Sequence, residues 1–348
     1  MNSKLAGYTI AGLLLLVLTL VVSLGIGSVH LPAGQIGAML LQRVPGLAER
    51  FPTAWESSAE QIIMKVRLPR ILLGMLVGAS LATAGAAFQG VLRNPLADPF
   101  TLGVASGSSL GAALLIFYGM QYSFAGAWTL PLVAFVTGAV TLWIVLALSR
   151  EQGKLPTHGL ILAGVIMQSF LGAVVSFLTI MSRDTMNDIL FWTLGSLSLR
   201  GWTYILVLLP YFTAGLIYLW SRSRALNLLA LGERQAAYTG LNVDRLKGSV
   251  LVVATLLTAA AVSVSGVIGF VGLVIPHMIR LLTGSDYRII IPLSALGGAV
   301  FMVWSDTAAR TLLAPSEIPI GVVTAFIGAP FFAYLLYRSR RQRREGQQ

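Results

Sequence analysis

Long apolar runs separated by short polar stretches set the pattern of this chain. A helix that crosses the hydrocarbon of a bilayer needs about 20 mostly apolar residues, because every backbone N–H and C=O must be paired within the segment. By that rule the sequence predicts about ten spans, over residues 8–28, 70–92, 100–119, 128–148, 158–181, 202–220, 248–265, 267–283, 289–305 and 320–337. The seventh and eighth are parted only by a tight turn at Gly266. The first run, preceded by Lys4, has the outline of a signal peptide, but its length and the lack of a clear small-residue cleavage site predict a retained helix.

Composition agrees with this pattern. Only 11% of the 348 residues are charged, 56% are hydrophobic and the mean hydropathy is +0.81, so the bulk of the chain is expected in lipid. The absence of cysteine rules out a disulfide framework, a thiolate metal site and a cysteine nucleophile. A net charge of +11 suggests nucleic acid at first sight. Its densest part is Arg338, Arg340, Arg341, Arg343 and Arg344, directly after the last apolar run, which reads as a cytoplasmic membrane anchor over the tail 338–348. Placing both termini inside puts sixteen of the 24 Lys and Arg residues on the cytoplasmic side, the bias that short cytoplasmic loops show.

The thirteen acids fall almost wholly at predicted helix ends or in loops, so no buried chain of carboxylates of the proton-relay kind is expected. Asp306 is the best candidate for an ion-coupling site, yet it lies at a predicted span end. Glycines at Gly74, Gly78 and Gly85, and at Gly103, Gly107 and Gly111, have the spacing that lets helix backbones approach closely.

The longest polar interruption on the inner side is about 221–248. Within it, Leu231, Gly232, Glu233, Ala236, Ala237 and Gly240 give a Glu-x-x-Ala-Ala-x-x-Gly spacing, which predicts a short helix with a small-residue face and a glycine stop. Such a helix can seat in a groove of a partner. On spacing alone it reads equally as an amphipathic connector between two spans.

This stretch resembles the coupling loop of ABC importer permeases. The resemblance extends to the iron-siderophore, haem and cobalamin permease family through Arg67-Leu68-Pro69-Arg70, Asn94-Pro95-Leu96-Ala97-Asp98-Pro99, the run Gly269 to His277, and Glu317-Ile318-Pro319-Ile320-Gly321-Val322. It implies one all-α permease domain over 1–348, of type II ABC importer architecture. It implies that the coupling helix docks on a separate ATPase. It also implies that Arg67, Arg70 and Arg310 receive carboxylates of an extracytoplasmic binding protein, and that Asn94, Leu96, Thr157 and His158 form the cytoplasmic gate. Without it, the outer arginines read as snorkelling to lipid phosphate, Asn94-Pro95 as a tight turn, and His158 as a solvated residue at a helix start. At His158 the chain departs from the small hydroxyl residue of cobalamin-type members. By the resemblance Glu317 and Pro319 lie in a short helix near Arg310 at the pore mouth, where the sequence alone supports only a structured turn, and His277 is expected in a packing and hydrogen-bonding role.

There is no Gly-x-x-x-x-Gly-Lys-Ser/Thr, so ATP and magnesium are expected on the partner subunits, with no cofactor, metal or catalytic residue here. The expected assembly is two permease copies, or a close paralogue, with two ATPases and a binding protein in a bacterial cytoplasmic membrane, and no nucleic acid. Spans two to five and seven to ten are offset by five, so the halves are expected to have opposite topology. The competing classes are an ion-gradient-driven secondary transporter and an intramembrane enzyme. The second is weakened by three histidines without His-Glu-x-x-His spacing.

Overall fold

The computed structural model describes residues 2–27, 32–43, 56–198 and 200–345. Those residues form helices without a strand: α1 Asn2–Gly25, α2 Ala33–Gln42, α3 Ser57–Gln61, α4 Leu68–Leu92, α5 Val104–Phe117, α6 Thr129–Ser149, α7 Thr157–Met181, α8 Met186–Thr193, α9 Trp202–Ser221, α10 Ser223–Ala230, α11 Glu233–Tyr238, α12 Val243–Ser265, α13 Val271–Thr283, α14 Tyr287–Thr311 and α15 Ile320–Glu345. Among the described residues, seven helical runs are long and apolar enough to cross a membrane. Three shorter apolar helices, α5, α13 and the Ile320–Leu335 part of α15, occupy the other three predicted positions.

A π-wound turn, Ile62–Arg67, joins α3 to α4 and makes one 36-residue run from Ser57 to Leu92. At 1.5 Å per residue that is about 54 Å, against about 30 Å of hydrocarbon, so part of the run stands outside the lipid. α4 is the hub. Of its most apolar window 83% is buried, and α14, α12 and α13 pack around it. The glycine stripe explains the closeness: a Cβ on Gly78 would overlap the carbonyl oxygen of Gly298, and one on Gly298 that of Gly78. α5, α6 and α7 form a second group, and α1 lies on α14.

α4 stops where Pro95 denies its predecessor helical backbone; Arg93 adopts a left-handed conformation at φ 50°. Asp98 then caps a short 3₁₀ turn, accepting from Phe100 N at 2.7 Å while Thr101 Oγ1 accepts from Asp98 N at 3.1 Å.

The junction between the seventh and eighth spans departs from expectation. Instead of a tight turn there is a non-helical stretch over 266–270, with φ of +70° at Gly266 and +68° at Phe270. α13 is therefore only 13 residues, about 20 Å at 1.5 Å per residue. Unwound backbone within an apolar bundle persists only where its polar groups are paired. The neighbouring helix ends supply pairing at both margins: Gly266 N donates to Val262 O at 2.7 Å, Gly266 O accepts from Ser265 Oγ at 3.0 Å, and Phe270 O accepts from Val274 N at 2.8 Å. Gly266 also lies so close to Trp192 O that a side chain there would collide. At Glu317 the chain makes turns over 312–316 and a non-helical stretch up to α15, the structured turn that the sequence alone supports, without the short helix implied by the resemblance.

Candidate functional site

Two clusters of polar side chains lie at opposite ends of the bundle. At one end α10 and α11 cross the gap between α9 and α12. α11 forms as the spacing predicts, entered through Gly232 at φ 131° and followed by Gly240 at φ 84°. Ala236 alone of its six residues is buried, while Leu231 (69% exposed), Ala237 and Tyr238 (89% exposed) face away from the bundle. Glu233 turns inward, where Lys247 Nζ donates to Glu233 Oε1 at 3.0 Å and to Thr157 Oγ1 at 3.2 Å. A direct Thr157–Glu233 approach of 3.5 Å is too long to contribute much. The structure thus joins the predicted coupling helix to one predicted gate residue through a lysine that sequence reasoning counted only among the inner charges.

The rest of the expected gate lies nearby in fold terms but is differently engaged. Asn94 closes its own turn, its Oδ1 accepting from Leu96 N at 2.9 Å, and Leu96 is exposed. His158 is exposed on the first turn of α7. Asp98, half-buried beside them, is pushed up to about 6 by burial.

α10 is moored separately. Asn227 Nδ2 donates to Asp286 Oδ1 at 2.7 Å, and Asn227 Oδ1 accepts from Tyr287 N at 2.9 Å. Asp286 also caps α14 through Arg288 N and takes a two-pronged contact from the Arg288 guanidinium. The Arg288 hydrogen bonds, with help from Asn227, outweigh partial burial and hold Asp286 down to about 2, from an ordinary 3.8. A depressed carboxylate stabilises the fold above its unfolded pKa and loses that contribution as pH falls through the folded one. The thermal midpoint gap between wild type and Asp286→Ala in detergent is therefore expected to be full at pH 6 and to shrink from about pH 4 toward pH 2. A gap that stays constant over that range would show the pairing to be inert.

At the other end the three outer arginines do come together, but they point inward. Arg70 on α4 binds Asp306 of α14 through Nε at 3.0 Å and Nη2 at 2.8 Å, and Glu317 through Nη1 at 2.8 Å. Arg310 donates to Ile26 O at 2.7 Å and Ser23 O at 2.8 Å, with its Nε 3.7 Å from Asp306. Arg67 donates to Leu24 O at 2.8 Å and is tightly covered by Gly27. All three side chains are largely buried within the single chain. Carboxylates from α14 and the loop after it already answer the charge. Burial pushes Glu317 up, but hydrogen bonds from Arg70 and Ser198 prevail and hold it below the usual carboxylate range.

Asp306 lies deeper than the span end expected for it. It sits within α14, with 3% of its side chain exposed, and is paired rather than open to a coupling ion. His277 packs its ring against Phe332 as expected, at 5.7 Å, but its Nδ1 makes no hydrogen bond. The tail arginines 338–344 continue α15, and their side chains, with residues 346–348, lie outside the described set.

Comparison with known proteins assigns these features a setting. The model of the FecCD transport family matches residues 15–338. The chain is 43% identical over 341 residues to the uncharacterised ABC transporter permease YvrB of Bacillus subtilis, covering 98% of this chain and 96% of that one. It is 39% identical to the hemin transport permease HmuU of Yersinia pestis, covering 99% of each. A solved ABC transporter of metal-chelate type in an inward-facing conformation superposes with a TM-score of 0.82 at 36% identity, covering 97% of this chain and all of that one. With the all-helical fold, the inward-braced α11 and near full-length similarity in sequence and structure, the chain belongs to the FecCD transport family as an ABC transporter permease.

Proposed function

We propose that the chain is the membrane half of an importer powered by ATP hydrolysis on separate partner subunits, carrying an iron chelate, with ferric siderophore first and haem or cobalamin next. The observation that carries this reading is α11. Leu231 and Tyr238 are apolar, highly exposed and set in a loop outside the apolar spans, where lipid tails do not cover them. Exposed apolar side chains in such a place fit a partner surface. Cargo enters the reading from the hemin permease and the metal-chelate transporter among the similar proteins.

The transport path is best placed between two copies of the chain. α4 fills the centre of the bundle and is packed on most sides, whereas α7 bares Leu162, Ile166, Phe170 and Phe177 along one side. Leu96 and the α7 residue His158 are exposed at the α11 end, as a shared gate requires. The chain then sits in the cytoplasmic membrane with the α11 end and both termini inside. A binding protein meets the opposite end, where Arg70 can exchange the half-exposed Glu317 for a carboxylate of the partner, while Arg67 and Arg310 brace the fold. ATP-driven uptake by the reconstituted complex tests the reading.

A further inference from the structure

We propose that Lys247 is a positioning residue that carries movement of α11 into the first turn of α7, and so to the gate; the inference rests on α11 being the ATPase-docking helix. Lys247 lies in the second turn of α12 and is fully buried. Its ammonium joins the first residue of α11, Glu233, to the first residue of α7, Thr157, with distances of 3.0 and 3.2 Å. These two residues are 76 positions apart, and the lysine between them links two helix starts.

Lys247 is buried although Glu233 is partly exposed, and a buried ammonium that loses its partners is left uncompensated, which is costly. When α11 is displaced, keeping Glu233 and Thr157 on Lys247 therefore costs less than parting them, and the start of α7 follows. The loop before α7 is tied to the same helix at a second point, Leu155 N donating to Asp244 Oδ1 at 3.2 Å. α12 is thus positioned to pass displacement from the loop on one side to the loop on the other. The neighbouring α10 is held by Asn227 to Asp286 and Tyr287, so displacement of α11 is channelled at the Glu233 side and not dissipated by free swinging of the whole loop.

The chain has no cysteine, so His158→Cys provides a single reporter thiol on the exposed first turn of α7. The full permease–ATPase complex is reconstituted, and the labelling rate of that thiol by a membrane-impermeant maleimide is measured without nucleotide and after trapping with ATP and vanadate. With Lys247 and Thr157 in place the two rates are expected to differ about fivefold or more. In Lys247→Met the difference is expected to fall below about twofold, while Thr157→Ser, which keeps the hydroxyl, retains it. Thr157→Val keeps the pairing of the buried Lys247 with Glu233 and loses only the arm to α7, so it gives the same loss even if Lys247→Met fails to fold. A full nucleotide response in Thr157→Val overturns the role of Lys247. A complex that assembles and hydrolyses ATP without any response at position 158 in the otherwise unchanged chain overturns the gate reading and the lysine with it. A complex that assembles regardless of changes on α11 overturns the docking reading, and with it the premise of the inference, whatever the labelling shows.

Discussion

Replacing Asp306 with alanine is expected to cost about 3–5 kcal/mol of stability, the largest single-site loss outside the close-packed glycines. The reason is geometric. Asp306 takes two hydrogen bonds from Arg70 and lies near Arg310, and all three side chains are shielded. Without the carboxylate, Arg70 keeps only Glu317, and Arg310 keeps only its carbonyl and hydroxyl partners at Ser23, Ile26 and Thr307. A guanidinium left without its counter-charge inside an apolar bundle is expensive. Removing the arginine as well, in an Arg70→Met/Asp306→Met pair, is expected to recover part of the loss, because replacing both partners of a buried pair costs less than orphaning one. The readout is the thermal midpoint of the purified protein in detergent. A loss under about 1 kcal/mol in Asp306→Ala would mean that the arginines reach lipid phosphate or water instead, as the snorkelling alternative holds.

The second large effect is on assembly and leaves the fold intact. Leu231→Ala/Tyr238→Ala changes two highly exposed side chains, so stability is expected to move by no more than about 0.5 kcal/mol per site. If those side chains seat in the ATPase, loss of a buried aromatic anchor is expected to cost about 2 kcal/mol or more, weakening the complex by about 30-fold or more. Glu233→Gln is expected to act differently, weakening the hold of Lys247 while leaving the outer face of α11 unchanged. Titrating detergent-purified permease with its ATPase separates the two. Unchanged affinity in the double alanine variant would move the docking surface off α11.

Much of the fold was legible because lipid imposes a one-dimensional rule: long apolar runs become helices, and α4, α6, α7, α9 and α12 contain or closely match the spans read from the sequence. The short helix α11 was legible because its glycines and alanines encode a local shape. What hydropathy could not show was contact between distant positions. Arg70 and Asp306 are 236 residues apart, and their pairing turns two presumed surface charges into an internal brace. Lys247 was missed for the same reason, since a lysine near a loop reads as solvated until Glu233 and Thr157 close over it. A break at Gly266 was read from the sequence, but the length of the unwound stretch 266–270 was not, because an apolar run does not reveal how far the chain leaves the helix. Gly266 marks its start with a φ that glycine tolerates, but the left-handed residue at its end is Phe270, which nothing in the sequence signals.

The most direct test of the central claim is uptake into proteoliposomes holding the chain with its ATPase and binding protein, with radiolabelled ferric chelates, haemin and cobalamin offered in parallel. Accumulation of one of these cargoes is predicted to require ATP, to persist when proton and sodium gradients are collapsed, and to be lost in Leu231→Ala/Tyr238→Ala. Uptake by the chain alone, driven by an ion gradient without ATPase or ATP, would contradict the account.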